Sequence, residues 1–228
     1  MASFALIHGA GSTGWDWHLV AAELRARGHE VLAPDLPCGS ATATLDDYVA
    51  AVVDAIGDRE DVVVVAHSLG GFTAPLVCRR VAARLLIMVT AMIPAPGERV
   101  ADWWTNTGYD KATAGDTHTD DEIFFHDVPP ELAAAAKAQA VTQADAAMLQ
   151  PWPGERWPDV PTRFIVCRDD RLFPAEWMRG LVAERLGIAP EEMDGGHYVA
   201  LSRPLDLADM LESYLKLGTT VTPVALPR

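Results

Sequence analysis

Residues 62–71 read Val62-Val63-Val64-Val65-Ala66-His67-Ser68-Leu69-Gly70-Gly71, an apolar strand that breaks on a small-residue turn carrying a serine and restarts as a helix. Such a turn holds a hydroxyl strained and exposed at the carboxyl edge of a sheet, where a base can reach it. The general pattern is G-x-S-x-G, with Ala66 standing where the first glycine is usual. The competing reading is an ordinary helix start with Ser68 as N-cap. A serine becomes a nucleophile only when a base takes its proton, and the base in turn needs a carboxylate to hold its tautomer. Two later loops offer these partners. Gly195-Gly196-His197-Tyr198 follows a weak strand, its glycines leaving room for an imidazole to swing toward Ser68. Cys167-Arg168-Asp169-Asp170-Arg171-Leu172-Phe173-Pro174 follows the strand before it and ends at a helix-starting proline. Spacing alone leaves both Asp169 and Asp170 open. Acyl transfer also needs donors for a developing oxyanion, and the amide of Leu69, at a helix N-terminus, is one.

These residues need a scaffold, and the chain alternates strand-like and helix-like segments as a parallel sheet covered on both faces requires. Strands are expected at Phe4–Ile7, Val31–Ala33, Val62–Ala66, Leu85–Val89, Thr162–Cys167 and weakly at Glu192–Met193. Helices are expected at Asp16–Arg27, 45–56, Leu69–Ala83, Ala175–Leu186 and Pro204–Leu217. The expected fold is thus α/β, a mostly parallel sheet of about six strands flanked by helices. Alternation stops over residues 92–160, a block with Trp103-Trp104, an acidic span from Asp116 to Asp127, an alanine-rich helix expected from Glu131 to Met148, and Pro-Trp pairs at its end. The same α/β pattern resumes afterwards, so the block reads as a helical cap inserted into one domain spanning 1–228. The tail from Gly218 to Arg228, with Pro223 and Pro227, reads as disordered or docked on a neighbour.

With 18 Lys plus Arg against 32 Asp plus Glu, the formal charge of −14 argues against a nucleic-acid or anionic-membrane partner. No apolar run approaches the ~18 residues of a membrane helix, and the N-terminus lacks a signal-peptide pattern, which implies a soluble, cytoplasmic protein. The three cysteines, Cys38, Cys78 and Cys167, are odd in number and widely spaced, as free thiols in a reducing compartment are. His8, His18, His29, His67, His118 and His126 lack the context of His197: His67 points away from the serine by strand alternation, and His8 props the first loop. No pair shows zinc-ligand spacing, so no metal is expected. A homodimer stays open.

The elbow, the Asp170 loop with Pro174 four residues on, Gly-Gly-His near the end, and His8-Gly9-Ala10-Gly11 after the first strand together resemble the α/β-hydrolase fold family. The chain order Ser68, Asp170, His197 is the one that family uses. Length and mid-chain cap are similar to its methyl-esterase and hydroxynitrile-lyase branch, including small bacterial relatives. The resemblance implies Asp170 as the carboxylate, at the fourth position of a G-x-x-D loop with Cys167 in the place of glycine. It also implies the Ala10 amide as second oxyanion donor. Glycines 9, 11 and 14 let that loop turn tightly and bring Gly9 close to a substrate. Trp103, Trp104, Trp152 and Trp157 are expected to line the pocket or to staple cap to core, and Trp15 or Trp17 to face it. The expected activity is cofactor-free hydrolysis of a small, largely apolar carboxylic ester or lactone through an acyl-enzyme. The alternatives are a hydroxynitrile-lyase-type reaction and a non-catalytic small-molecule receptor. Gly9 where such lyases carry Thr, and Tyr198 where they carry Lys, favour the esterase.

Overall fold

The computed structural model describes residues 1–216, so the expectation for the tail lies outside the described residues. Its frame is a single parallel sheet. The strands are β1 (Ser3–Ile7), β2 (Glu30–Leu32), β3 (Val62–Ser68), β4 (Ala83–Ala91), β5 (Thr162–Cys167) and β6 (Glu191–Met193). They lie in the order β2-β1-β3-β4-β5-β6, with all five pairings parallel. The order reverses at β1 and β3, so the carboxyl ends of these two strands flank the crevice where α/β sheets bind ligands.

Helices α1 (His18–Ala26), α2 (Leu45–Ile56), α3 (Gly70–Val77), α8 (Ala175–Leu186), α9 (Val199–Ser202) and α10 (Pro204–Lys216) cover the two faces. The period of two along β3 divides its residues between them. Val62, Val64 and Ala66 pack with α2, α3 and α8, while Val63 and Val65 pack with α1 and α10. Each helix has a local cause. Thr44 and Asp47 form a reciprocal capping box at the start of α2, whose apolar stripe Leu45, Tyr48, Val49, Val52 and Ile56 is buried. Gly187, left-handed at φ 66°, ends α8.

Between β4 and β5 the chain forms four short helices, α4 (Val100–Asn106), α5 (Tyr109–Ala112), α6 (Asp120–Phe124) and α7 (Pro130–Gln139). The two ends of this segment are tied by Gly97 N–H to Trp152 O (3.1 Å) and Trp152 N–H to Glu98 O (2.9 Å). A buried ion pair from Arg185 of α8 to Glu98 anchors the same point, at 2.5 and 2.9 Å. The alanine-rich helix ends at Gln139, nine residues short of Met148, because the following amides are taken elsewhere. Val141 N–H donates to Gly11 O (2.9 Å) and Ala144 N–H to Cys38 O (2.8 Å), while Gln143 Oε1 accepts from Gly11 N–H (3.1 Å). Long-range bonds to the loops after β1 and β2 thus override helix propensity. The helix expected to run to Ala83 also stops early, at Val77, which leaves a turn of 78–82 to bring the chain back into β4.

Gly71, in the first turn of α3, lies so close to the strand exit beyond β4 that a Cβ there would sit 1.9 Å from the Met92 carbonyl oxygen. Gly71→Ala is therefore expected to lower the thermal midpoint by about 5 °C or more, the scale of an overpacked core, as read by circular-dichroism melting.

Candidate active site

Ser68 ends β3 at φ 51°, a left-handed conformation that a non-glycine residue adopts at a cost of about 1–3 kcal/mol. It is not an N-cap: α3 begins at Gly70 with Leu69 in the capping position. The turn is held where it is by Met92 N–H, which donates to the Ser68 carbonyl at 2.9 Å. That bond fixes the next peptide plane. In a trans peptide the N–H points opposite to the C=O, so the Leu69 amide is turned away from Met92.

The loop after β1 is oriented by a matching device. His8 accepts the Leu36 amide on Nε2 (2.9 Å), which puts its proton on Nδ1, and Nδ1–H donates to the Gly9 carbonyl (2.9 Å). With the Gly9 carbonyl held on that side, the Ala10 amide faces the other way. Burial lowers the His8 pKa, favouring the neutral ring this bonding needs. His8 is thus the loop prop that the sequence suggested. Gly9 approaches the serine so closely that a Cβ would meet Ser68 Cβ at 2.9 Å.

Asp170, buried after β5, is the better bonded of the two adjacent acids. One oxygen accepts the Leu172 and Phe173 amides at 2.8 and 2.9 Å, and the other accepts His197 Nδ1–H at 2.9 Å together with the hydroxyl of Thr90. Burial pushes its carboxyl up, but the His197 charge and these donors outweigh that and hold it below the ordinary carboxylate value. Asp169 is exposed and instead accepts the Gly195 amide at 3.1 Å. Because Asp170 occupies Nδ1 of His197, Nε2 is the nitrogen left for a hydroxyl. His197, Ser68, Gly9, Ala10 and Leu69 all line one cavity of about 480 Å³.

The cavity wall comes largely from the segment between β4 and β5, through Val100, Trp104, Phe124, Phe125, Ala136 and Met148. The tryptophan expectations need correction. Trp104 lines the cavity, but Trp103 and Trp152 do not. Their indole N–H groups bond the carbonyls of Ile93 (3.0 Å) and Phe72 (2.9 Å), which draws both rings into the core. Trp157 bonds Thr162 Oγ1 away from the cavity, and neither Trp15 nor Trp17 lines it. His67 is the second correction. Strand alternation does send it to the α1 and α10 side, but the His197 loop arrives on that same side. His67 Nε2–H therefore donates to the His197 carbonyl (2.8 Å), with ring centroids 4.7 Å apart. Burial, then the neighbouring His197 charge, lowers its pKa to about 3, so it stays neutral.

Several site residues escaped the sequence reading. Thr90, at φ 36° near the end of β4, could have been flagged only as a polar residue closing an apolar strand. Asp127 Oδ2 accepts the Gly196 amide (2.7 Å) and ties the inserted segment to the His197 loop. Asp16 lies in a single 3-10 turn, Gly14–Trp17, and lines the cavity while bonded to the Ser12 hydroxyl. Among the described residues, no group of three or more His, Cys, Asp or Glu could hold a metal.

With this geometry in view, comparison with known proteins is decisive for the family. A model of the alpha/beta hydrolase family matches residues 4–210. This chain belongs to that family. The Oryza sativa subsp. indica protein named "Probable esterase PIR7A" is 25% identical over 248 residues, covering 91% of this chain and 94% of the relative. "Methylesterase 7" of Arabidopsis thaliana is also 25% identical, over 249 residues, with coverages of 91% and 94%. The crystal structure of polyneuridine aldehyde esterase superposes with a TM-score of 0.79 at 21% identity, covering 94% of this chain and 99% of that one. The alpha/beta hydrolase fold and the resemblance to the methylesterase branch are thereby shown. Among the described residues, no helix is long and apolar enough to cross a membrane.

Burial first, against a smaller opposing effect of the Ser12 hydroxyl, pushes the Asp16 pKa up to about 6. The folded chain then retains a proton that the unfolded chain releases at lower pH, so the wild type loses stability as pH rises between about 4 and 6. Relative to Asp16→Asn, the wild type is expected to lose up to about 3 kcal/mol across that window, measured by urea denaturation at the two ends.

Proposed function

We propose that the chain is a serine carboxylic-ester hydrolase acting on small, largely apolar esters or lactones through an acyl-enzyme. The observation that carries this reading is a buried Asp170–His197 pair on the same cavity as a serine at positive φ, at the point where the sheet order reverses. The names of the relatives support it, since esterases and methylesterases recur among them. The cavity's apolar wall supports the substrate class.

In the proposed cycle Ser68 Oγ attacks the ester carbonyl carbon while His197 Nε2 takes its proton, and Asp170 stabilises the resulting imidazolium. The Ala10 and Leu69 amides receive the oxyanion, each worth about 3 kcal/mol of barrier. Collapse of the tetrahedral adduct expels the alcohol with the proton from His197. A water then attacks the acyl-enzyme carbonyl, His197 takes its proton, and Ser68 leaves re-protonated as the acid departs. Nothing in these steps calls on a cofactor. The segment 92–160 serves as the cap that closes the cavity over the substrate, within one domain. The buried free thiols of Cys38, Cys78 and Cys167 support a reducing, cytoplasmic setting.

Ser68→Ala is expected to cut hydrolysis of p-nitrophenyl butyrate by a thousandfold or more, on the order of other triad deletions, with an unchanged circular-dichroism spectrum. Retained activity in that variant would refute the covalent mechanism. A fluorophosphonate probe should label the wild type and not the variant. Thr90→Val, which removes one donor from a buried carboxylate, is expected to lower kcat by about tenfold. The p-nitrophenyl butyrate assay reads this directly.

A further inference from the structure

The hydrolytic cycle above makes no use of Asp16, although this acid occupies the wall of the reaction cavity. Its residue is only 6% exposed. One carboxylate oxygen takes the Ser12 hydroxyl, and no group among the described residues bonds the other. No cation inside the cavity balances it. The lining Lys137 has its ammonium 2.6 Å from Asp121 and over the Phe125 ring, His67 stays neutral, and His18 turns its Nδ1 to the Trp15 carbonyl. Tyr198, from the loop that carries His197, shares the same corner, and its phenol is raised by burial and then by the Asp16 charge. The aromatic faces of Phe124, Phe125 and Tyr198 line the cavity as well, the last two stacked at 4.7 Å.

Resting on the esterase reading, we propose that Asp16 and Ser12 form a subsite for a protonated amine carried by the ester substrate. A buried carboxylate with one free oxygen and no bonded cation, drawn on only weakly by the charge of nearby His18, is costly by itself and becomes favourable when a cationic donor binds it. An uncharged hydroxyl would supply a hydrogen bond but no charge balance. Aromatic faces around the same space favour an ammonium further, and a chain of net charge −14 draws cations toward it. The free protein thus tolerates a destabilised acid whose interaction is completed by ligand.

Isosteric ester pairs test the proposal. 2-(Dimethylamino)ethyl butyrate against 3-methylbutyl butyrate places the charge on the alcohol side, and ethyl 3-(dimethylamino)propanoate against ethyl 4-methylpentanoate places it on the acyl side. In one pair at neutral pH the wild type is expected to favour the amine by at least about tenfold in kcat/KM, the effect of one charge-assisted hydrogen bond. That ratio should fall toward unity in Asp16→Asn, and in the wild type as pH drops through about 6, where Asp16 takes up a proton. Because it is a ratio, any effect of pH shared by both esters cancels. A wild-type ratio near or below one in both pairs overturns the subsite. So does a ratio unchanged in Asp16→Asn, or a preference for the hydroxyl analogue 3-hydroxybutyl butyrate over the amine. Calorimetric affinities of Ser68→Ala for the same esters separate the two claims. Amine preference in binding, with no turnover by the wild type, keeps the subsite and removes the hydrolysis. Equal affinities remove the subsite.

Discussion

A carboxylate with no exposure to water must find donors for its lone pairs, and the Asp170 side chain finds four, two from backbone amides of its own loop and one each from Thr90 and His197. Most of the site follows from satisfying that group. The amides of Leu172 and Phe173 shape the loop after β5, Thr90 ties it to the end of β4, and the imidazole closes the set from a third loop. Removing one partner of a buried pair typically costs about 3–5 kcal/mol, so loop positions far apart in sequence are locked to one another by a single acid. His197 is thereby given its orientation and its tautomer before any substrate arrives.

The two amides proposed as oxyanion donors depend on a subtler constraint of the same kind. Neither Ala10 nor Leu69 is selected by its side chain. Each amide is aimed because the carbonyl of the preceding residue is held from behind, by His8 in one case and by the Met92 amide in the other. The strain at Ser68 belongs to this arrangement, since its left-handed backbone lifts the side chain while its carbonyl stays tied to the chain leaving β4. Strain of about 1–3 kcal/mol is sustained only where neighbouring bonds over-determine the geometry, and here they do.

The inserted segment is coupled to the same machinery. Asp127 bonds the loop of His197, and Gly11 in the loop after β1 exchanges hydrogen bonds with Val141 and Gln143. A change in how this segment packs would therefore be felt at both the His197 loop and the loop after β1. The wall it supplies is mostly apolar and its Lys137 is paired with Asp121, which makes Asp16, the acid that lines the cavity without a bonded cation, its most distinctive chemical feature.

Much of this was legible in residue order. The β-strand and helix alternation, the elbow at Ser68 and the glycines before His197 are local signals, because period, turn chemistry and small-residue requirements act over a few neighbours. The choice of Asp170 over Asp169 was not local, since adjacent acids in a loop differ only in which one the folded chain buries. Tryptophans misled for a related reason: area and a single N–H suit a pocket wall and a core equally, and the carbonyls of Ile93 and Phe72 decided the matter for Trp103 and Trp152. The alanine-rich helix stopped at Gln139 because amides beyond it found acceptors on the loops after β1 and β2, more than 100 residues earlier. Sequence by itself thus determined the elements, the fold and the chemical types at the site, all set by short-range sterics and hydrophobic periodicity. Tertiary structure alone decided which carboxylate is buried, which amides face the cavity and that Asp16 sits within it, because burial and hydrogen-bond partnership are properties of chain segments brought together from a distance.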